Sequence, residues 1–546
     1  MNFTETQAYA RLLRHRVFLS DATMRGLFEA DPGRFSSMSA SVADIIFDYS
    51  KNLLDKKAVG YLVKMAEQME LPGRIGDMFD GVKINRTEGR AALHVALRAP
   101  PGGRIMLGGR NIAEDISATY ERSCRFAEDV RAGRFRGASG ARILDVVNIG
   151  IGGSHLGPRF AVDALKDFRT PLIGFHFVSN VDGADVSDAL EKLSPETTLF
   201  IVASKSFATD ETMANAEACR RWLVGRLGER AVEGHFAAIS ADARAAAGFG
   251  VAKDMVFPFG GYVGGRYSMW GPVGLPILIA IGRDNFERFL KGARDVDAHF
   301  RTAPLASNVP VLMALVSVWN INFLDIAAEA VLPYSRRLRY LPAYLGQLVM
   351  ESNGKSVDSD GRPVKWRTSP VVFGEEGTNG QHSFYQLLHQ GSEKMLCDFI
   401  IPVKGGDDMR PHRTKLVANA VAQAEALMAG RTREEALAEM RELRLSAPDI
   451  ERVLPYMVFG GSRPSNTFLM RSLTPETLGA LVALYEHKTF VEGVLWDINP
   501  FDQFGVELGK KLAVRIAEDL ENKGGAGYAH DSSTSGLIEI IKELRG

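Results

Sequence analysis

Short apolar runs alternate with helical stretches between residues 143 and 259, and this alternation constrains the fold more than any other feature of the sequence. Helical patterns at 157–168 and 210–227 separate some of these runs. Apolar strands that alternate with helices predict βαβ units, in which helices cover both faces of a parallel sheet. We expect one doubly wound α/β domain that ends near residue 282. The runs are ILDVVNI (143–149), LIGFHFV (172–178), TLFIVAS (198–204), HFAAIS (235–240) and MVFPF (255–259).

The rest of the chain alternates in the same way, with longer helices, and predicts a second, larger α/β domain. The most apolar long stretch, 309–332, is interrupted by polar residues and indicates a buried core helix rather than a membrane span. The expected domains are a helical N-terminal segment (1–115) packed on the large domain, a small domain (116–282) and the large domain with its tail (283–546). Strands are expected at 371–374, 399–403 and 466–470, and helices at 43–69, 87–97, 310–332, 341–352, 381–388, 416–428 and 475–494.

The charge balance excludes a general attraction to nucleic acid or to an anionic membrane. Among 546 residues, 65 are Lys or Arg and 66 are Asp or Glu, which gives a formal net charge of -1. Any anionic ligand must therefore be held by a local site.

The three cysteines are widely spaced and form no CxxC pair, and the N-terminus has no secretory pattern. A reduced, cytoplasmic location is the expectation.

Two glycine- or hydroxyl-rich loops follow predicted strands and open helices, which suits an anion. NIGIGGSHLGP (148–158) exposes backbone N–H groups at a helix N-terminus, and SKSFATD (204–210) adds three hydroxyls and Lys205. Ser206 and Thr209 are three apart and are expected on one face of the first helical turn. The alternatives are a tight structural turn for the first loop and a helix cap for the second. Because both loops fall at the carboxyl ends of strands, we expect them to share one phosphate.

Two further segments place a guanidinium and a carboxylate among small residues. Arg266 lies in GGRYSMWG (264–271), where paired glycines allow the backbone to approach closely. Gln347 and Glu351 lie four apart on one predicted helical face, and Asn353-Gly354 is typical of a helix end. A carboxylate in such a turn is a candidate general base. On its own segment, Arg266 is equally typical of a structural arginine that binds loop carbonyls, and a lone glutamate such as Glu351 is more often a solvated surface residue.

The last two segments carry candidate proton-handling groups. His382 and His389 are seven apart in GTNGQHSFYQLLHQ (377–390), so one helical face is expected to carry both. Gln503 and Lys510 show the same spacing in DINPFDQFGVELGKK (497–511). No carboxylate or cysteine has metal-ligand spacing around the histidines, so a zinc site is not expected. A satisfied core histidine and a solvated lysine are the simpler alternatives.

Taken together, these segments resemble the phosphoglucose isomerase family over nearly the whole chain. The similarity is most specific in VGGRYSMWGPVG (263–274) and DINPFDQFGVELGKKL (497–512), and extends to MESNGK and ALYEHKTFVEGVLWDIN. The resemblance implies two sugar-isomerase (SIS) type domains, each a three-layer α-β-α sandwich with a mainly parallel sheet. It also implies an aldose–ketose isomerase, EC 5.3.1.9, that interconverts D-glucose 6-phosphate and D-fructose 6-phosphate in glycolysis and gluconeogenesis without metal or cofactor.

The resemblance implies a role for each matched residue. Glu351 matches the base, Arg266 the cation beside the enediolate, and His382 and Lys510 the ring-opening pair. It further implies a homodimer in which His382 belongs to the neighbouring subunit's site. His155 departs from the family pattern, since Asp is common at that position. The matched substrate-binding residues are Gly153, Ser154, Ser204, Lys205, Ser206, Thr209, Gln347 and Gln503.

Three other functions remain open from the sequence. A non-catalytic sugar-phosphate sensor would need the two loops but not Glu351, His382 or Lys510. A nicotinamide oxidoreductase would need a third glycine where His155 stands. A related isomerase that also accepts mannose 6-phosphate is compatible with every motif.

Overall fold

Two main β-sheets, one wholly parallel and one mixed, form the framework of this computed structural model. The structure describes residues 2–100, 102–405, 409–521 and 527–545. The chain divides into two units, one that ends at Pro500 and one that begins at Phe501. In the described residues, strands β1 to β13 span Ser39–Val42, Ile45–Asp48, Met106–Leu107, Arg110–Asn111, Asp145–Ile149, Gly174–Val178, Thr198–Ala203, Phe236–Ser240, Val256–Pro258, Ala328–Pro333, Val371–Gly374, Leu396–Lys404 and Ser465–Ser472.

Helices contact both sheets, and short 3-10 and π segments connect many of the elements. None of the helices in the described part of the chain has both the length and the apolar character that a membrane crossing needs. The α-helices there, α1 to α21, span Gln7–Phe18, Met24–Ala30, Arg34–Ser37, Lys56–Gln68, Leu71–Phe79, Ala113–Ala132, Leu156–Ala164, Gly183–Leu190, Asp210–Leu227, Val232–His235, Ala243–Phe249, Leu275–Thr302 (interrupted at Gly282), Val309–Val318, Leu341–Leu345, Tyr385–Gln390, Arg410–Ala429, Arg433–Glu442, Ala447–Met457, Pro475–Leu495, Glu507–Glu521 and Ser532–Arg545.

The five-stranded sheet has the order β6-β5-β7-β8-β9, and all its pairs are parallel. Every residue of the central strands β7 and β8 is buried. Burial on both faces explains why these strands are continuous apolar runs without polar alternation. Each of the five strands lies within its predicted run, and α9 has the predicted bounds of 210–227.

The six-stranded sheet has the order β1-β2-β13-β12-β10-β11. The pairs among β13, β12, β10 and β11 are parallel, whereas β1, β2 and β13 pair antiparallel. Both main sheets are therefore mainly parallel, which confirms the predicted α/β class. The predicted domain boundaries at 115/116 and 282/283 remain predictions.

The helical prediction for 43–69 is wrong in its first part. β1 and β2 form a hairpin in which Phe47 pairs with Phe468 of the sheet, and α4 begins only at Lys56. In the second predicted helix, 87–97, only a 3-10 segment, His94–Arg98, forms. Ile45 and Phe47 of IIFD are buried and Ile46 is exposed, a period-two pattern that arises from sheet pairing, a long-range interaction that the helical interpretation did not detect.

The predicted core helix at 309–332 is also only partly correct. α13 ends at Val318, a π segment follows at Trp319–Phe323, and the remaining apolar residues form β10. β10 lies between β12 and β11, and all its residues but the first are buried. An apolar run buried on all sides has the same pattern in a helix as in a strand, so periodicity does not separate the two.

Helices α12 and α19 cross at very short distance. A Cβ on Gly292 would lie 1.8 Å from the Glu476 carbonyl oxygen, and one on Gly479 would lie 2.0 Å from the Phe289 carbonyl oxygen. Glycine is thus required where the two backbones meet. α19 is buried along nearly its whole length, charged residues included.

In the described residues of the unit that begins at Phe501, the regular structure comprises a 3-10 segment, α20 and α21. Within it the buried carboxylate of Asp519 lies 2.9 Å from His530 Nε2 and accepts the backbone N–H of Tyr528. These contacts attach the segment before α21 to α20.

Candidate active site

The two predicted anion loops leave neighbouring strands at the same edge of the parallel sheet. β5 ends at Ile149 and is followed by the 3-10 turn Gly152–Ser154, and β7 ends at Ala203 and is followed by Ser204. Asn148 Nδ2 donates to the Ser154 carbonyl oxygen at 3.0 Å, which fixes the first loop. The predicted side-by-side arrangement of the loops at the carboxyl ends of the strands is therefore present.

The second loop is less helical than predicted. α9 begins at Asp210, Thr209 is its N-cap residue, and Phe207 has a left-handed φ of 49°. Ser206 and Thr209 consequently share no helical face, because Ser206 lies in the turn before the helix. The Ser204 Oγ and Thr209 Oγ1 atoms lie 3.0 Å apart, so these hydroxyls close the loop.

Lys205 is the cation of this loop. Burial lowers the pKa of its ammonium, and the positive charge of Arg90 lowers it further. The Lys205 Nζ atom also lies 5.4 Å from the ring centroid of Phe259. A partly desolvated cation near a second cation is favourably placed for an anion, which would relieve both penalties.

Glycine allows the first loop to touch the segment that carries Arg266. A Cβ on Gly153 would lie 2.1 Å from the carbonyl carbon of Gly265 and 2.6 Å from the Arg266 nitrogen. Gly152 has a φ of +59°, and a Cβ there would lie 3.0 Å from Gln347 Nε2. The first loop thus directly contacts the segments that hold the candidate cation and base.

Arg266 is buried and contacts three oxygen atoms from different parts of the chain. Its Nε donates to Ser352 Oγ at 2.6 Å, and its Nη2 donates to the Pro500 carbonyl oxygen at 2.7 Å. Its Nη1 lies 3.3 Å from Glu351 Oε2. The planar guanidinium is therefore fixed with one edge toward the candidate base.

Glu351 ends a π-helical segment, Gly346–Glu351, that follows α14. Gln347 Nε2 donates to Glu351 Oε2 at 3.0 Å, so the predicted pair is on one face although the turn is π-helical. Lys355 Nζ donates to the carbonyl oxygens of Glu351 and Ser352 at 2.8 Å each. The predicted helix end is present, since regular structure stops before Gly354. π segments occur often at functional sites.

The two histidines predicted on one helical face lie in different elements. His382 ends the 3-10 segment Asn379–His382 and is exposed, whereas His389 lies on α15, which begins at Tyr385. Because His382 and His389 lie in different elements, their seven-residue spacing does not place them on one helical face. His389 Nε2 lies 2.8 Å from Gln423 Oε1, a local structural contact.

Gln503 and Lys510 belong to the unit that begins at Phe501. Lys510 lies on α20, and Gln503 precedes the 3-10 segment Phe504–Val506. Their predicted position on one helical face is wrong, because the helix begins only at Glu507. Their roles stay predictions.

His155 is the N-cap residue of α7, directly after the 3-10 turn of the first loop, and is buried. Its Nε2 lies 3.4 Å from Arg159 Nη1, and the Arg159 guanidinium stacks on the ring of Tyr340. Burial, and then the positive charge of Arg159, lower the pKa of His155 to about 4. The imidazole is therefore neutral near pH 7.

Sequence reasoning missed the charged groups buried on α19. Arg98 pairs with Asp297 at 2.7 Å and with Glu486 at 2.5 Å, and Trp270 Nε1 donates to Glu486 at 2.7 Å. Burial raises the pKa of Glu486 to about 7. The sequence feature that could have indicated buried charges was the triplet EHK within the apolar run 475–494.

It also missed Ser352 and Tyr267, whose hydroxyls lie 2.9 Å apart beside Arg266. Both stand next to residues that were singled out, in GRY and ESN. Their position next to a candidate residue was thus the only indication of a role in the site that the sequence offered.

Comparisons with known proteins identify the family of this chain. The family described as phosphoglucose isomerase matches residues 48–538. A glucose-6-phosphate isomerase from Methylococcus capsulatus is 48% identical over 544 residues, with 99% of each chain covered, and one from Deinococcus deserti is 49% identical over 551 residues, again with 99% covered. The crystal structure of a glucose-6-phosphate isomerase from Chlamydia trachomatis has a TM-score of 0.84 at 30% identity and covers 100% of both chains. This chain belongs to the phosphoglucose isomerase family.

Proposed function

We propose that this chain is a glucose-6-phosphate isomerase, an aldose–ketose isomerase that interconverts D-glucose 6-phosphate and D-fructose 6-phosphate in glycolysis and gluconeogenesis. The observation that carries the proposal is the Arg266–Glu351 pair, with 3.3 Å between Nη1 and Oε2, on segments in contact with a phosphate-type loop. A base and a cation beside an anion loop suit proton transfer on a phosphorylated sugar.

The two loops bind the phosphate in this proposal. Backbone N–H groups at the start of α7, hydroxyls of the second loop and the Lys205 ammonium all favour an anion. The phosphate is remote from the reacting carbons, so its binding energy orients the open-chain sugar over the base. The proposed phosphate-binding residues are Gly153, Ser154, Ser204, Lys205, Ser206 and Thr209.

Glu351 is the base that moves a proton between C1 and C2. The proton next to a carbonyl is weakly acidic, so its removal needs a carboxylate within about 2.6–3.2 Å. The enediolate that forms carries negative charge on oxygen, and a fixed guanidinium stabilises this charge without reorganising. Arg266 supplies that guanidinium, and Gln347 orients Glu351 and contacts the substrate. The reaction moves protons only and requires neither metal nor nicotinamide.

Ring opening precedes the proton transfer and is assigned to His382 and Lys510, with Gln503 as a further substrate contact. We propose a homodimer in which His382 acts in the neighbouring subunit's site. His382 is exposed and shares no helix with His389. This position supports a role in the site of the neighbouring subunit. A cytoplasmic location is proposed as well, and is supported by three buried cysteines without disulfides.

The test is an assay of the purified chain with fructose 6-phosphate in EDTA and without added metal, with glucose 6-phosphate measured after quenching. We expect turnover, and in D₂O we expect deuterium at C1 or C2 of the sugar, because an enediolate exchanges its proton with solvent through the base. Turnover with no deuterium incorporation would instead indicate a hydride shift, and absence of turnover would overturn the proposal.

A further inference from the structure

Ser352 connects the candidate base to the candidate cation. It directly follows Glu351 in the chain, is completely buried, and its hydroxyl oxygen accepts the Nε–H of Arg266 at 2.6 Å. The two residues are 86 positions apart in the sequence, so this contact joins distant segments. A single turn therefore carries both the carboxylate and the acceptor that orients its partner.

Tyr267 completes the arrangement from the other side. Its hydroxyl lies 2.9 Å from Ser352 Oγ, and its ring lies 4.7 Å from that of His94. Burial raises the pKa of Tyr267, so the phenol stays neutral and keeps its hydrogen. The Ser352 hydroxyl thus contacts two groups from the GRY segment, which restricts its rotamer.

We propose that Ser352 is a positioning residue, which holds the Arg266 guanidinium by Nε so that Nη1 faces Glu351, with Tyr267 fixing the Ser352 hydroxyl. The inference rests on the proposed function, since it assigns the role within the same site. Ser352 itself performs no proton transfer in this proposal.

The physical reason lies in the geometry of the guanidinium. The Nε contact to Ser352 and the Nη2 contact to the Pro500 carbonyl oxygen hold two nitrogens of the rigid guanidinium, and together they restrict the direction in which Nη1 points. Loss of the Nε acceptor removes one of these two constraints. The buried Nε–H then lacks an acceptor, which is unfavourable. A rotation of the guanidinium toward another acceptor turns the cation away from Glu351. Charge stabilisation that depends on preorganisation falls when the donor can move.

The test compares Ser352→Ala and Ser352→Cys with wild type in the fructose 6-phosphate assay. Cysteine is somewhat larger than serine and leaves no cavity, but its sulfur is a weak acceptor, so it separates the loss of the hydrogen bond from cavity formation. We expect both variants to lose kcat by about 10-fold or more while KM stays within about two-fold, because the phosphate loops are unchanged. Tyr267→Phe should lose less, since Arg266 Nε keeps its acceptor.

A kinetic isotope effect supplies a measurement that a purely structural role would not change. A displaced Arg266 slows the proton-transfer step itself, so the isotope effect on kcat with fructose 6-phosphate deuterated at C1 should rise in both Ser352 variants, whereas a loss of folded enzyme leaves it unchanged. The matched control is Ser465→Ala, a buried serine of β13 whose hydroxyl finds no hydrogen-bond partner within the described residues. The control should keep the wild-type kcat and isotope effect.

The outcomes separate this inference from the proposed function. Wild-type kcat or an unchanged isotope effect in Ser352→Ala overturns the positioning role, and so does wild-type kcat in Ser352→Cys. If wild type itself shows no isomerase turnover, the proposed function fails first.

Discussion

At the residue scale, the site combines a fixed cation with a partly exposed carboxylate. Arg266 is 3% exposed, whereas the Glu351 side chain keeps 21% of its surface exposed. The cation is bound by protein oxygens on two sides, and the base is open on one side. This asymmetry suits a reaction in which the base must reach a substrate proton and the cation must stay still.

The first prediction concerns Glu351. Glu351→Gln keeps the shape of the side chain and removes its basicity, so we expect kcat to fall by at least about 100-fold. The affinity for fructose 6-phosphate, measured by titration calorimetry, should change by less than about three-fold because the phosphate loops are untouched. Glu393→Gln, at an exposed position, is the matched control and should behave as wild type. Near-native turnover of Glu351→Gln would remove Glu351 from the role of base.

The second prediction concerns stability and follows from the depressed pKa of His155. The folded state binds a proton on His155 only near pH 4, whereas the unfolded chain binds it near pH 6.5. Between these values the unfolded state holds more protons, so stability is present above pH 6.5 and is lost as pH falls toward 4. The loss from this residue is of the order of 3 kcal/mol.

His155→Gln removes the titrating group and retains an acceptor for Arg159. Its free energy of unfolding, from urea titrations, should fall less steeply than that of wild type between pH 6.5 and 4. Other buried histidines, such as His94 and His487, titrate in both chains and cancel in the comparison. Parallel curves for the two chains would show that His155 does not contribute.

At the scale of elements, the strands of the parallel sheet were predictable because burial on both faces makes each a continuous apolar run. The loops after β5 and β7 were predictable too, since Gly and Ser patterns mark strand-to-helix turns. The hairpin of β1 and β2 was not, because its pairing with β13 depends on residues over 400 positions away. The hydrogen bonds that hold Arg266 were not predictable for the same reason, because their acceptors, Ser352 and Pro500, approach Arg266 only in the folded chain.

The third prediction belongs to the loop at the end of β5. A Cβ at position 153 would lie 2.1 Å from the Gly265 carbonyl carbon, so Gly153→Ala must separate the phosphate loop from the Arg266 segment. We expect both the affinity for inorganic phosphate and kcat to fall by about 10-fold or more, with a lower Tm. The measurements are phosphate titration, the isomerase assay and thermal unfolding.

The control for this variant is Gly60→Ala in α4, where an added Cβ meets nothing within 4 Å. Alanine is the better helix former by about 1 kcal/mol, so this variant should be at least as stable as wild type and fully active. A Gly153→Ala chain with native phosphate affinity would show that the contact between loop and segment is dispensable.

At the scale of the whole molecule, a formal net charge of -1 means that affinity for an anion is not spread over the surface. We expect it to be concentrated where helix N-termini, hydroxyls and Lys205 meet at one edge of the parallel sheet. The phosphate loops, Arg266, Glu351 and Gln347 all belong to the unit that ends at Pro500, and they contact one another within a single chain. His382 is the candidate residue expected to come from a second chain.

The fourth prediction tests this arrangement by subunit mixing. Glu351→Gln and His382→Ala chains, each inactive alone, are dissociated, mixed in equal amounts and re-associated. Random pairing makes half of the dimers mixed, and each mixed dimer then contains one site with native Glu351 and native His382. Activity should therefore recover to about one quarter of the wild-type value. Recovery requires that His382 crosses between subunits, since a histidine acting in its own chain leaves every site defective.

Mixing Glu351→Gln with Arg266→Lys is the matched control. Glu351 and Arg266 lie 3.3 Å apart in the same chain, so no mixed dimer restores the pair and activity should stay at the mean of the two parents. Lysine itself should not replace Arg266, because a single ammonium cannot reach Ser352, Pro500 and Glu351 together as the planar fork does. Recovery in the first mixture and none in the second fixes His382 as the residue supplied by the neighbour, whereas equal recovery in both would point to subunit mixing effects unrelated to the site.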